Sequence, residues 1–454
     1  MAEPTQSGRR AFLQSSTSSV LLASVYPASI RAAIGTGALG SNPASGPEIF
    51  FSKDEYHERW GRVQAAMAAA GYESLIVWQR SAGTYDKAGN VYWLTNFVTD
   101  GTGQDPLSEE NDEVWTFAAV LIRKGQEPEL HVGLSQDEMD ASRIVCGKLV
   151  VHTGHMAVKL AEYLRTERIE GRVAVVGDDV YPGLFDRILR SHTPQIEWVT
   201  EELLLEGAQM IKSPRELEAY RTAGALVSTA LTSAMEAMIA GQRACEAAAR
   251  AAFELMRGGG GFHRISISHG PASQSPLSYD FYGYNMRAPR DEDLITVWIY
   301  GPIFAGYWLD PGRTAICGKR PPPAQRTLVE RCAKLVSDMV KAVAPGISAR
   351  DVGIRWAELA RKGNYLDELG GEGGGSMFGH GLGASFPAYV LPTGNPEAGP
   401  YGYKRLKGPL KPGMVLTAEA FLTRPGVGTA GFENNFIVTD TGTELLDKTP
   451  MLFW

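Results

Sequence analysis

The sequence predicts an α+β protein with two domains, a small α/β domain followed by a larger, strand-rich domain. Its 454 residues, 44% of them hydrophobic and 21% charged, suffice for the cores of about two domains. Helical and strand-like patterns alternate over residues 48–205, which indicates the α/β domain. Over residues 206–454, strand-like runs punctuated by glycine and proline follow an initial pair of helices. We therefore predict a domain boundary near residue 205.

In the first domain, apolar residues recur at helical spacing over residues 54–70, and Gly71 is a natural helix end. Short apolar runs predict strands at 74–78, 90–95, 115–122 and 173–176. These elements alternate as expected for a small α/β domain.

The second domain begins with a strong helix signal. Ser213 is a suitable N-cap, Pro214 suits the first helical position, and Glu216 completes a capping box, so we predict a helix that continues through Met238. Further helices are predicted at 244–257, 324–343 and 349–361. Strands are predicted at 294–300, 307–310 and 314–316 and near the C-terminus at 436–442.

The N-terminus has the pattern of an export signal. Arg9 and Arg10 precede a short, serine-containing apolar stretch and small residues near Ala32, which resembles a twin-arginine signal over residues 1–34. A glycine- and serine-rich linker, 35–47, follows. The apolar stretch is too short to cross a bilayer, and no later segment is apolar enough. We expect the mature protein to be soluble, in the periplasm or outside the cell.

Charge and cysteine content narrow the possible functions. A net charge of -7 and the lack of a Lys/Arg cluster argue against nucleic-acid binding, so a small molecule or a short peptide is the expected partner. The four cysteines have neither zinc-ligand nor disulfide-framework spacing and are expected to be buried free thiols, although an oxidising compartment would allow one pair to form a bridge. They are Cys146, Cys245, Cys317 and Cys332.

Several short motifs occur in a fixed order along the chain. They are Ile211–Leu217, Gly306–Thr314, Gly379–Gly383, Thr417–Ala420 and Phe432–Asn435. Their order and spacing resemble the creatinase/aminopeptidase P/methionine aminopeptidase superfamily, whose catalytic domain has the pita-bread fold. The resemblance covers roughly residues 50–450 and rests on the whole series, since each motif alone is weak. It implies a creatinase-like N-terminal domain over residues 48–205 and the pita-bread catalytic domain over 206–454.

This resemblance implies a set of metal ligands. Metal-dependent members hold two divalent cations between two Asp, one His and two Glu residues, and four of these five positions are present here as Asp310, His380, Glu419 and Glu433. The fifth position, counted back from Asp310, is Ile299. The remaining set implies one divalent ion (Mn, Zn or Fe) or none. Asp310 has the alternative role of pairing with Arg313.

Other candidate site residues follow from the same resemblance. A histidine of peptidase members is replaced by Ser278, and His269 is a candidate general acid or base, with a loop residue of no chemical role as the alternative. His380, Glu419 and Glu433 are the main catalytic candidates. Aromatic residues crowd the nearby strands and either line a substrate pocket or fill the core. They are Trp298, Tyr300 and Tyr307.

The leading functional hypothesis is an exported hydrolase of a small substrate with a carbon–nitrogen bond, such as an Xaa-Pro-like peptide, an amide or an amidine. An enzyme similar to dimethylsulfoniopropionate lyases is the second hypothesis, because that branch also lacks the peptidase histidine. A catalytically inactive ligand-binding protein is the third, suggested by the reduced ligand set. The family resemblance also implies a homodimer.

Overall fold

The computed structural model describes residues 50–80, 89–98, 117–133, 141–178, 180, 182–270, 286–371, 377–384, 390–391 and 408–454. Two separate sheets lie in consecutive stretches of the chain, six strands within 74–200 and nine within 264–445. The predicted two-domain α+β fold is confirmed. The exact boundary near residue 205 stays a prediction, as do the signal and the linker, which lie outside the described residues.

The first domain packs helices against the six-stranded sheet. Its helices are α1 (Lys53–Ala70), α2 (Gly89–Thr95), α3 (Met156–Thr166), α4 (Gly183–His192) and α5 (Glu202–Gln209). Its strands are β1 (Ser74–Arg80), β2 (Phe117–Arg123), β3 (Glu129–Val132), β4 (Lys148–Val151), β5 (Gly171–Val176) and β6 (Ile196–Thr200). The strand order is β4-β3-β2-β1-β5-β6, with parallel pairs β3–β4, β1–β5 and β5–β6.

Helix α1 begins and ends where the sequence predicts. The Ser52 hydroxyl accepts a hydrogen bond from the Glu55 backbone amide, and Gly71 adopts a left-handed conformation with φ 75°. One stripe of the helix is buried in the core, including Trp60, Val63 and Met67.

The strand predicted at 90–95 is wrong, because these residues form helix α2. A short apolar run does not distinguish a strand from a buried helix by periodicity. Here tertiary contacts decide: the carbonyl oxygens of Trp93 and Leu94 accept hydrogen bonds from the Arg59 and Trp60 side chains of α1.

The second domain contains helices α6 (Pro214–Ile239), α7 (Ala244–Arg257), α8 (Pro323–Lys341) and α9 (Ala349–Lys362). Its strands are β7 (Arg264–Gly270), β8 (Leu294–Phe304), β9 (Tyr307–Leu309), β10 (Gly312–Ile316), β11 (Met377–His380), β12 (Val390–Leu391), β13 (Val415–Arg424), β14 (Gly428–Val438) and β15 (Thr443–Leu445). The predicted capping box at the start of α6 is present between Ser213 and Glu216.

The nine-stranded sheet is antiparallel in the pairings that the described residues form. Its order is β12-β11-β13-β14-β10-β8-β7, with β9 added to β8 and β15 added to β14. Cross-strand pairing brings one residue from each of several strands into a single row on one face of the sheet. That row contains Ser266, Trp298, Gly312, Glu433 and Glu419.

Alternate residues of β8 lie on the opposite face and belong to the core beneath α6. Ile295, Val297 and Ile299 are fully buried in the same cluster as Val227 and Leu231 of α6. Because successive side chains of a strand point to opposite faces, this packing fixes which residues of β8 face the row of glutamates.

Two further expectations can be compared with the structure. All four cysteines are free thiols, two of them buried (Cys317 and Cys332) and two half-buried. Among the described residues, none of the helices combines the length and the apolar character that crossing a bilayer requires.

Candidate active site

Three of the predicted site residues converge on one buried point. Asp310, His380 and Glu433 each offer one ligand atom, and these atoms all lie within 4.8 Å of one another. The Nε2 atom of His380 lies 3.1 Å from Asp310 Oδ2 and 3.5 Å from Glu433 Oε1. The three residues are at most 6% exposed. The fourth predicted ligand, Glu419, is also buried and lies opposite Glu433 in the strand register.

The position of each group in or next to a strand determines where its side chain lies. Glu433 and Glu419 lie in the middle of the long paired strands β14 and β13. Asp310 follows β9 directly and precedes Pro311, which restricts Asp310 to extended backbone conformations. His380 ends β11, and its Nδ1 lies 3.1 Å from the Gly381 carbonyl oxygen. If Nδ1 donates to this carbonyl, Nε2 is the nitrogen that faces the carboxylates.

Two residues that hold the site in place were missed from the sequence. Asn435 donates from Nδ2 to Asp310 Oδ1 (2.8 Å) and accepts at Oδ1 from the Asp310 backbone amide (2.9 Å). The Thr417 hydroxyl accepts from the His380 backbone amide at 3.2 Å. Each lies two positions from a glutamate in its strand, so the period-two rule was a usable signal.

The electrostatics of the site reflect three carboxylates held in a buried space. Burial and the charge of Asp310 raise the pKa of Glu433 to about 8. Burial and the charge of Glu433 raise the pKa of Glu419 well above its usual value. Burial would lower the pKa of His380, but the Asp310 and Glu433 carboxylates outweigh it and raise that pKa well above 6.5.

Among the described residues, no Arg or Lys forms an ion pair with these carboxylates, and His380 is the basic group that pairs with Asp310 and Glu433. The alternative role of Asp310, pairing with Arg313, is wrong. The Arg313 guanidinium forms a buried ion pair with Asp447 and donates to the Glu433 carbonyl oxygen.

Ile299 and its neighbour Trp298 lie on opposite faces of β8. Ile299, which aligns with the missing aspartate, is buried beneath α6 on the opposite face of β8. Trp298 lies in the glutamate row instead, and its Nε1 donates to Glu433 Oε2 at 2.8 Å. Successive side chains of β8 point to opposite faces of the sheet, because the strand is regularly paired around this position.

The structure does not bring His269 to the site. It pairs with Ile295, on the face of the sheet that packs against α6, and its Nδ1 lies 3.8 Å from Asp293 Oδ2. The prediction that His269 acts as a general acid or base at this centre is therefore wrong in its geometry. Ser278 lies outside the described residues.

The three aromatic candidates lie in three different environments. Tyr307 is fully buried, and its hydroxyl donates to Glu216 Oε1 at 2.6 Å, so it does not line the site. Tyr300 is half-buried, with its ring 5.9 Å from that of His263. Trp298 alone of the three contacts a candidate site carboxylate among the contacts described.

The donor atoms fit a divalent cation. Carboxylate oxygens and an imidazole nitrogen are ligands that Mn, Zn and Fe ions accept. Glu433 Oε1 is buried without a hydrogen bond, and a cation would balance the crowded negative charges of the carboxylates. Asp310, His380 and Glu433 are the residues that could hold it.

A two-domain α+β fold thus carries a buried centre of carboxylates and one imidazole. The model of metallopeptidase family M24 matches residues 218–440. An uncharacterized hydrolase/peptidase of Sinorhizobium fredii is 25% identical over 431 residues, which cover 88% of this chain and 97% of the relative. The Xaa-Pro dipeptidase of Pyrococcus furiosus is 25% identical over 256 residues, covering 54% of this chain and 65% of that protein.

Solved structures agree on the fold. The Xaa-Pro dipeptidase from Bacillus anthracis has a TM-score of 0.65 and 19% identity, covering 88% of this chain and all of its own. Dipeptidase PepE from Mycobacterium ulcerans has a TM-score of 0.64 and 20% identity, covering 89% and 98%. The family match and these relatives support the creatinase/aminopeptidase P/methionine aminopeptidase superfamily that the motifs of this chain resemble.

Proposed function

We propose that the protein is an exported hydrolase of a small substrate with a carbon–nitrogen bond, an Xaa-Pro-like peptide, an amide or an amidine. We further propose that its centre holds one divalent cation through Asp310, His380 and Glu433. The observation that carries the proposal is the convergence of these three donors within 4.8 Å at a buried point. The dipeptidase names of the relatives support the substrate class.

A divalent cation at such a centre would polarise the scissile carbonyl or imine carbon and lower the pKa of water. The residues of the chain supply the remaining functions. Asn435 holds the Asp310 carboxylate through two hydrogen bonds, and Thr417 holds the backbone of His380. This support fixes the donor atoms before a substrate binds.

We assign the proton transfer to Glu419. It lies outside the group of three converging ligand atoms, yet it is opposite Glu433 on the neighbouring strand. Burial and the charge of Glu433 raise its pKa well above the usual value, which makes the carboxyl group a stronger proton acceptor than an exposed glutamate. Glu419 would take a proton from the attacking water and return it to the departing nitrogen.

Turnover of Xaa-Pro dipeptides, creatine-like amidines and simple amides, with added Mn²⁺ or Zn²⁺, tests this function. We expect hydrolysis of one class, and a loss of about 100-fold or more in Glu419→Gln with unchanged metal content. Elimination from dimethylsulfoniopropionate without any carbon–nitrogen hydrolysis would overturn the proposal in favour of a lyase. Ligand binding without turnover, equal in wild type and Glu419→Gln, would overturn it in favour of a binding protein.

Export is a separate part of the proposal and rests on the sequence of residues 1–34. Arg9 and Arg10 precede a short apolar stretch, as in signals read by the twin-arginine system. Substitution of both by Lys should retain the protein in the cytoplasm of a host that has this system, measured by fractionation. Equal export of both forms would contradict it.

We also propose a homodimer, on the basis of the superfamily alone. Sedimentation or light scattering of the purified protein should give about twice the mass of one chain, which is 49.1 kDa. A mass equal to one chain at micromolar concentration would contradict it.

A further inference from the structure

The indole of Trp298 is built into the candidate site. It is 2% exposed, its Nε1 donates to Glu433 Oε2 at 2.8 Å, and its ring stacks on Phe421 with centroids 5.5 Å apart at 27°. The ring is therefore held by a hydrogen bond at its edge and by an aromatic contact on one face.

Two glycines make room for this ring. A Cβ atom on Gly312 would lie 1.8 Å from Trp298 Cε2, and one on Gly431 would lie 2.7 Å from Trp298 Cη2. Side chains at either position would collide with the indole. The position of the indole thus depends on Trp298 in β8, Gly312 in β10 and Gly431 in β14.

The hydrogen bond changes what Glu433 can do as a ligand. An indole nitrogen is a donor only and cannot coordinate a cation. Oε2 of Glu433 accepts this donor, whereas Oε1 has no hydrogen bond and faces His380 at 3.5 Å. A carboxylate bridges two cations most readily through its two oxygens, one for each cation, and here the indole N–H already occupies Oε2 of Glu433.

We infer that Trp298 prevents Glu433 from bridging and limits the centre to one cation. The inference rests on the proposed one-ion centre at Asp310, His380 and Glu433. It gives Trp298 a positioning role: the residue acts through Glu433 and sets the number of ions, while Glu419 remains free of a bridged ion pair and available for proton transfer.

Counting bound ions by calorimetric titration with Mn²⁺ and by elemental analysis tests the inference without a substrate. Wild type should bind one ion per chain. Trp298→Asp removes the indole and adds a carboxylate, so it should bind two. Trp298→Asn removes the indole without adding charge and should bind the second ion about tenfold more weakly than Trp298→Asp.

Ile299→Asp is the matched control, because it adds the same carboxylate one position along the strand, on the face beneath α6. It should bind no second ion. Thermal unfolding of each variant identifies those that fold, and Trp298→Asn keeps the test valid if an added charge prevents folding. A count of one in both Trp298 variants, or of two in wild type, would overturn the inference.

These outcomes separate the inference from the proposed function. A wild type that binds one ion and hydrolyses none of the substrates contradicts the proposed function and leaves the role of Trp298 intact. A wild type that hydrolyses a substrate with two bound ions contradicts the inference and leaves the hydrolase intact.

Discussion

Glu216 and Glu433 are both buried glutamates of the same domain, but their surroundings have opposite electrostatic effects. Glu216 accepts hydrogen bonds from Trp93 Nε1 (2.7 Å), the Tyr307 hydroxyl (2.6 Å) and the Ser213 amide (2.8 Å), with Arg59 3.8 Å away. Burial raises its pKa, but Arg59 and these donors outweigh burial, so the pKa lies below the usual value. Burial and Asp310 raise the pKa of Glu433 to about 8.

This difference separates a structural cluster from a ligand-binding one. The Glu216 cluster pairs its charge with Arg59 and Arg62 and joins α1 and α2 to α6 and β9. The Glu433 cluster brings three carboxylates to one histidine and stays short of positive charge among the described residues. Burial alone therefore does not distinguish the two clusters, whereas the direction of the pKa shift does, because the pKa is lowered at Glu216 and raised at Glu433.

Glu216→Gln gives the largest expected effect on stability. It leaves the buried Arg59 guanidinium with Glu55, 3.3 Å away, as its remaining carboxylate, and weakens the acceptor of Trp93 and Tyr307. The free energy of unfolding should therefore fall by about 3 kcal/mol. Urea unfolding of the metal-free protein measures this. A change below about 1 kcal/mol would contradict the view that this cluster is a charge-compensated structural link.

Glu433→Gln should weaken metal binding without destabilising the metal-free protein. With a pKa of about 8, Glu433 takes up a proton on folding near pH 7, which costs free energy that a neutral Gln avoids. The free energy of unfolding should therefore stay equal or rise by about 1 kcal/mol. Affinity for Mn²⁺ should fall by about 100-fold or more, because a ligand is lost. Strong destabilisation of the metal-free variant, comparable with that of Glu216→Gln, would erase the distinction between the clusters.

Asn435→Ala tests the support of the ligand cluster. Asp310 would lose both hydrogen bonds that hold it, and affinity for Mn²⁺ should fall by about tenfold. The control is Asn434→Ala, one position along β14 and therefore on its other face. Equal metal affinity in the two variants would show that Asn435 does not orient Asp310.

A third buried cluster, in the first domain, extends the comparison to pH. His131 and His152 lie with ring nitrogens 3.0 Å apart, beside Tyr163 and Glu129, with Lys159 near His152. Burial and nearby positive charge lower the pKa of His152 to about 4 and that of His131 well below 6.5.

Because these histidines are neutral when folded and bind protons when unfolded, their contribution is full above pH 6.5 and is lost as the pH falls towards 4. Between pH 7 and 5, the free energy of unfolding of wild type should fall by about 1 kcal/mol more than that of His152→Gln. Urea unfolding at both pH values measures these free energies. Equal decreases in the two proteins would show that His152 does not contribute to the loss of stability in acid.

The sequence predicted the parts of the molecule that depend on local chemistry. The capping box of Ser213 and Glu216 and the stop at Gly71 follow from backbone hydrogen bonding within a few residues. The motif order likewise indicated Asp310, His380 and Glu433, which the structure brings together.

What the sequence could not predict depends on register and tertiary contacts. Counting along the motif selected Ile299, but the pairing of β8 turns Ile299 towards α6 and Trp298 towards Glu433. The same alternation removes His269 from the site. The role of Tyr307 depends on a hydrogen bond to Glu216, 91 residues away in the sequence, which local sequence patterns do not indicate.

The number of divalent cations that wild type binds tests the central claim most directly. Protein stripped with a chelator and titrated with Mn²⁺ in a calorimeter should bind one ion per chain, lost in Glu433→Gln and retained in Glu419→Gln. Two tightly bound ions, or none at millimolar Mn²⁺, would contradict the account of a one-ion centre at Asp310, His380 and Glu433.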